Sequence, residues 1–252
     1  MSELSTLGLE GKVALVTGAA RGLGRAIAHK LCASGCHVLV NYASSDAAAA
    51  ATVESFAGLK GTASLLKGDV RDPRTVADLL DTVERDHSRL DVFVHNAATF
   101  RPMMAVRPDP EAFASEQALA LNPLLHGAGR LIKLMAGGGR IVAISSNGAS
   151  SVIPAYLGVG VAKAALENLV RYLAVELAPH GIAVNTVATA MLDKGEGTAN
   201  AEVMGILAAR TPAGRLSTPA DVADAVALLC TAEAGWIQGQ TLMVDGGLGL
   251  RA

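Results

Sequence analysis

The stretch Val13-Ala14-Leu15-Val16-Thr17-Gly18-Ala19-Ala20-Arg21-Gly22-Leu23-Gly24 decides the fold. Four apolar residues without polar alternation read as a strand buried on both faces, the kind a parallel sheet needs. A turn with glycines spaced G-x-x-x-G-x-G follows, and a helix-like run over 24–34 leaves it. Strand, glycine turn and helix in that order make the first half of a βαβ unit.

The alternation continues along the chain. Val38-Leu39-Val40, Ala63-Ser64-Leu65-Leu66, Val92-Phe93-Val94, residues 140–144, Ile182-Ala183-Val184 and residues 241–244 repeat the strand signal. Between them 47–56, 76–83, 116–135, 156–177 and 219–231 read as helices, the third running through Pro123. The pattern predicts the α/β class: a Rossmann-type doubly wound, parallel, seven-stranded sheet in a single domain over 1–252. The irregular stretch 189–212, with Gly195 and Gly197, follows the sixth strand at the ligand edge of the sheet. It is expected to be a loop that covers the substrate, the alternative being a helix packed on the core.

Composition narrows the partners. Hydrophobic residues are 51% of 252, charged ones 17%, and the net charge is −2. That is ample for a large core and leaves no basic stripe for nucleic acid or a membrane surface. Cys32, Cys36 and Cys230 have no CxxC spacing, so small core residues are expected rather than a disulfide framework or a metal site. The longest apolar runs fall short of a membrane span, and Met1-Ser2-Glu3-Leu4 has no signal-peptide pattern. The expected compartment is the reducing cytoplasm.

The glycine turn lets backbone approach a pyrophosphate resting on a helix N-terminus. Gly18, Arg21, Gly22, Leu23 and Gly24 are therefore candidate cofactor-binding residues, with a purely structural turn as the alternative. An acid ending the second strand would select NAD. Here Val40-Asn41-Tyr42-Ala43-Ser44-Ser45 precedes the first acid, Asp46. NADP(H) is favoured over NAD(H), with Asn41, Ser44 and Ser45 at the site and Arg21 facing a 2′-phosphate. Asp69 and Val70 after the third strand, and Asn96 and Ala97 after the fourth, either line the cofactor or are ordinary turn residues.

Together these pieces resemble the short-chain dehydrogenase/reductase family over residues 12–247. The marks are the turn at 17–24, Asp69-Val70, Asn96-Ala97, Asn122, Ser145-Ser146, Lys163-Ala164-Ala165, Val184-Asn185, Gly239-Gln240 and Val244-Asp245-Gly246-Gly247. The resemblance implies that Asp69 and Asn96 line the cofactor, and that Lys163 holds the nicotinamide ribose and lowers the pKa of a catalytic tyrosine. It also implies a homo-oligomer, a tetramer joined through the long helices and the last strand.

One departure stands out. The family pair is Tyr-x-x-x-Lys, but Val159 stands four residues before Lys163, and the nearest tyrosine is Tyr156. The spacing Tyr-x6-Lys is close to two helical turns, about 10.5 Å of rise, so both side chains are expected on one helix face. This resembles the enoyl-acyl-carrier-protein reductase branch. The wording over 156–166 and Thr211-Pro212-Ala213-Gly214-Arg215 are similar to its NADPH-dependent type III enzymes. His95-Asn96-Ala97-Ala98 replaces the usual Asn-Asn-Ala-Gly, and Thr189-Ala190, with Thr189 a cofactor candidate, replaces the usual Pro-Gly.

The resemblance implies reduction of the C=C bond of a trans-2-enoyl chain carried on acyl carrier protein or coenzyme A. The candidate catalytic residues are Tyr156, Lys163, Ser146 and Asn122. Conjugate reduction places charge on an oxygen two carbons beyond the one that receives hydride, and a tyrosine set back by a turn suits that oxygen. Ser146 either binds substrate or ends its strand; Asn122 either holds a water relay or bridges strands. Two other readings stay open: a carbonyl reductase or alcohol dehydrogenase, and a non-catalytic NADP(H)-binding sensor suggested by the missing tyrosine at 159.

Overall fold

A computed structural model of the chain describes residues 7–195 and 201–250. Seven strands form one sheet: β1 (Val13–Val16), β2 (His37–Tyr42), β3 (Thr62–Lys67), β4 (Val92–His95), β5 (Gly139–Ser146), β6 (Ile182–Thr189) and β7 (Thr241–Val244). Their order in space is β3-β2-β1-β4-β5-β6-β7, and every neighbouring pair is parallel. The order reverses between β1 and β4, and the crevice outside their carboxyl ends is where open α/β sheets hold ligands.

Among the described residues seven α-helices connect the strands: α1 (Gly22–Ala33), α2 (Asp46–Glu54), α3 (Pro73–His87), α4 (Pro110–Leu134), α5 (Leu157–Leu177), α6 (Ala201–Arg210) and α7 (Pro219–Leu229). The five inner strands, β1, β2, β4, β5 and β6, bury both faces, whereas β3 and β7 at the sheet edges are largely exposed. Val16 packs with Ile27, Leu31 and Val226 on one side. Leu15, its neighbour, packs with Leu80, Leu131 and Leu166 on the other. This is why the strands read as unbroken apolar runs. The three cysteines are free and buried, and burial pushes the thiols of Cys36 and Cys230 up to about 12. No helix among the described residues is long and apolar enough to cross a membrane.

Two elements differ from expectation. α4 starts six residues early, because Asp109 caps it by accepting from the amides of Glu111 at 3.1 Å and Ala112 at 3.0 Å, with Pro110 at the first helical position. The stretch 189–212 contains α6, which the irregular sequence hides. α6 has no buried residue, so it does not pack on the core. Leu192 anchors the start of the stretch in the core and bridges to Ser217. Residues 196–200, with Gly197, lie outside the described residues.

Candidate active site

The turn after β1 is shaped by what surrounds it. A Cβ on Gly24 would collide with the carbonyl oxygen of Gly18 and lie 2.5 Å from Asn96 Nδ2. Gly22 has φ +57 and nothing within 4 Å of the place a Cβ would take, so the turn faces open space there. α1 begins without a side-chain cap and with no acid in its first turn. Its first backbone N–H groups therefore remain for an anion. Leu23 is half-buried beside them. These features fit a dinucleotide pyrophosphate.

Thr17 fixes the turn from below. Its hydroxyl accepts from the amides of Asn96 and Ala97, both at 3.0 Å, and meets His95 Nδ1 at 2.9 Å. His95 Nε2 is 3.0 Å from the Ala120 carbonyl, so it donates there, and Nδ1 accepts from Thr17. Burial, reinforced by the Lys163 charge, pushes His95 down to about 3, and the ring stays neutral. Asn96 Nδ2 donates to the carbonyls of Thr17 at 3.0 Å and Gly18 at 3.1 Å. Asn96 and Ala97 thus hold the turn as well as edging the crevice.

Asn41 is buried. Its Oδ1 accepts from Gly18 N at 3.4 Å, and its Nδ2 donates to the carbonyls of Leu66 and Gly68. Its side chain is spent on the scaffold, whereas Arg21 and Ser44 are exposed and Ser45 is half-buried at the rim. Ser45 precedes α2 without using its hydroxyl as a cap. Asp46, the acid after the second strand, is taken by Tyr42 at 2.9 Å and Lys67 at 2.8 Å. Asp69 is engaged by the Arg71 guanidinium at 2.7 Å, and Val70 is buried. Thr189 ends β6 with its hydroxyl donating to the Val244 carbonyl at 2.8 Å.

Tyr156 lies one residue outside α5, as its N-cap, with φ −109 and ψ 17. The shared helix face expected from the spacing is thus replaced by a capping position. Ala155 before it has φ +58, a left-handed conformation that turns the chain into the helix. The ring rests on Gly148, where a Cβ would approach it to 2.8 Å, and its centroid is 5.5 Å from that of Phe100. Met103 clips this segment: its amide donates to the Ala155 carbonyl at 2.8 Å. Burial raises the Tyr156 phenol, the Glu116 charge adds to the rise, and a hydrogen bond with Ser146 pulls it back. The lowering expected from Lys163 is not what the environment produces.

Lys163 is buried, with Nζ donating to the Ile144 carbonyl at 2.6 Å. Burial pushes it down to about 8, against an upward pull from Glu167. Glu167 is held in turn by the Ser145 hydroxyl at 2.6 Å. Val159 is buried and lines a cavity of about 10 Å³ with Lys163, Ala97, Leu119 and Glu116. Asn122 donates to the Arg71 carbonyl at 2.5 Å, which ties α4 to the segment after β3. The sequence reading missed Thr17 and Glu116 as site residues. Thr17 carried a signal, as the only hydroxyl in the glycine turn; Glu116 looked like ordinary helix.

Residues 18–249 match the family model described as enoyl-(acyl carrier protein) reductase. The chain is 41% identical to 1-cyclohexenylcarbonyl-CoA reductase of Streptomyces collinus, over 96% of this chain and 88% of that protein. The chain belongs to the short-chain dehydrogenase/reductase family. It is also 35% identical to 3-oxoacyl-[acyl-carrier-protein] reductase of Haemophilus influenzae, over 95% of this chain and 99% of that one. Among solved structures, the angucycline C-6 ketoreductase LanV with bound NADP superposes with a TM-score of 0.87 at 33% identity, covering 96% of this chain and 97% of that chain. Within the family, this chain is an oxidoreductase whose relatives are named as reductases of a CoA ester, of a 3-oxoacyl chain and of a ketone.

Proposed function

We propose that the chain reduces the C=C bond of a trans-2-enoyl thioester, on coenzyme A or acyl carrier protein, with NADPH in the cytoplasm. The observation that carries this is the pairing of Val159 with Tyr156. A buried valine walls the place beside Lys163, four residues before it, while the phenol stands outside α5 against Ser146 and Phe100. A bound NADPH supplies the hydride. Once hydride has reached Cβ, the negative charge lies on the thioester oxygen, and the Tyr156 hydroxyl donates a hydrogen bond to it. Ser146 orients the phenol. In this reading Lys163 holds the nicotinamide ribose and α6 covers the acyl chain. The name of the Streptomyces relative denotes a thioester whose carbonyl is joined to an alkene carbon, and the family model's description names an enoyl substrate.

The NADPH preference rests on exposed Arg21 and on Asp46 being occupied by Tyr42 and Lys67. Carbonyl reduction is the second reading. The Ser146–Tyr156 contact favours it, as do the 3-oxoacyl and angucycline relatives. The test is NADPH oxidation with crotonyl-coenzyme A beside acetoacetyl-coenzyme A, in the parent and in Tyr156→Phe. Enoyl turnover that falls by about 10²-fold in the variant, with NADPH affinity kept, supports the first reading. Turnover of the keto substrate alone would transfer the site to the second.

A further inference from the structure

Glu116 is the one buried acid at the site with half of its carboxylate unassigned. It stands on α4 and is 4% exposed. Its Oε1 accepts from the Arg101 amide at 3.0 Å, whereas its buried Oε2 has no hydrogen-bond partner. Buried polar atoms without partners are rare enough to call for a use. α5 makes deliberate room for this one: a Cβ on Gly158 would collide with Oε2. Gln117, the next residue, donates to the Gly158 carbonyl at 2.9 Å and fixes the two helices at this point. Glu116 and Lys163 line the same cavity of about 10 Å³, about the space of one water. Lys163 has three N–H donors, of which one goes to the Ile144 carbonyl.

We propose that Glu116 is a proton-relay residue, returning through one water in this cavity to Lys163 the proton that each reduction takes from the site. The proposal rests on the reading of the chain as a reductase and holds for either bond. Each turnover adds a hydride and a proton to the substrate. The Tyr156 O–H bond breaks as its proton goes to the substrate, and it is remade with a proton given up by Lys163. An N–H bond of Lys163 breaks and is remade with a proton from the cavity water. The water's O–H is remade with a proton that the Glu116 carboxylate takes up from solvent beside the exposed segment 99–101 and passes on, so that Glu116 returns to the carboxylate. No electrons move in the relay.

The surroundings suit the task. Lys163, pushed down to about 8, gains and loses a proton close to neutral pH. His95, which faces it from β4, is neutral, and Glu167 is engaged by Ser145. Arg101 meets Glu116 through its backbone amide. The Glu116 charge already reaches the Tyr156 phenol.

The test is Glu116→Gln, which keeps the side-chain size and an acceptor for Arg101. NADPH binding, followed by fluorescence, should stay within about twofold, while kcat falls by about 10²-fold and its solvent deuterium isotope effect rises. Glu116→Asp should recover part of the loss. Gly158→Ala, which drives the carboxylate out of the cavity, should reproduce it if the glutamine variant fails to fold. Without any turnover, ultraviolet titration of the phenol, isolated by subtracting Tyr156→Phe, should shift downward in Glu116→Gln. A kcat within twofold of the parent with an unchanged isotope effect, or an unmoved phenol titration, overturns the proposal and leaves Glu116 as an anchor for the 99–103 segment. If only acetoacetyl-coenzyme A is turned over, the enoyl reading fails, and the relay is judged on that substrate.

Discussion

His95 shows what a single residue can do beneath a cofactor turn. It occupies a position where the family usually has asparagine, and it links Thr17, 78 positions before it, to the Ala120 carbonyl, 25 positions after it. In the unfolded chain a histidine takes up its proton near 6.5, but in the fold only near 3. The depressed pKa makes the folded state lose stability as pH falls through that window, by up to about 1.4 kcal/mol per pH unit. Urea midpoints at pH 7 and pH 5 should therefore differ less in His95→Asn than in the parent; an equal acid loss in both would place the sensitivity elsewhere. Arg21 makes a second prediction at this scale. It is exposed and pairs with no carboxylate among the described residues. Arg21→Ala should raise KM for NADPH by about tenfold and leave KM for NADH nearly unchanged. A parallel rise in both would mean that Arg21 does not read the 2′-phosphate.

Elements were legible where their signal is repeated and local. The β1 turn could be read because its glycines answer to close backbone contacts, and the five inner strands because both faces are buried. Gly24→Ala should cost about 1–3 kcal/mol of stability and weaken NADP(H) binding, because the new methyl meets the Gly18 carbonyl. Gly129→Ala on exposed α4 meets nothing within 4 Å and should gain about 0.5–1 kcal/mol. Thermal melts of the two variants check both directions. What was not legible depends on contacts far apart in sequence. The spacing between Tyr156 and Lys163 suggested one helix face, but Ala155 and the Met103 clip hold Tyr156 just outside the helix. The partner of Glu116 across the cavity is 47 positions away, so nothing local in α4 marked it. α6 escaped notice because it has no buried stripe to give it a period.

At the scale of the whole molecule, the parallel seven-stranded sheet followed from the alternation of strands and helices, while the outer surface carries features that the alternation does not explain. Tyr172 and Val175 on α5 are 64% and 75% exposed, and Trp236, Leu242 and Met243 are exposed around β7. Such apolar surface on a monomer marks contact sites. Light scattering should give four times the 25.6 kDa chain mass, and Val175→Glu should shift it downward; a monomer at micromolar concentration would contradict the tetramer. The choice between alkene and carbonyl turns on where Tyr156 stands. The direct measurement is the position of the label after reduction with NADPH deuterated at C4 of the nicotinamide, with crotonyl- and acetoacetyl-coenzyme A supplied together. Deuterium on Cβ of butyryl-coenzyme A is the expected result. Deuterium only on the hydroxyl-bearing carbon of 3-hydroxybutyryl-coenzyme A would contradict conjugate reduction.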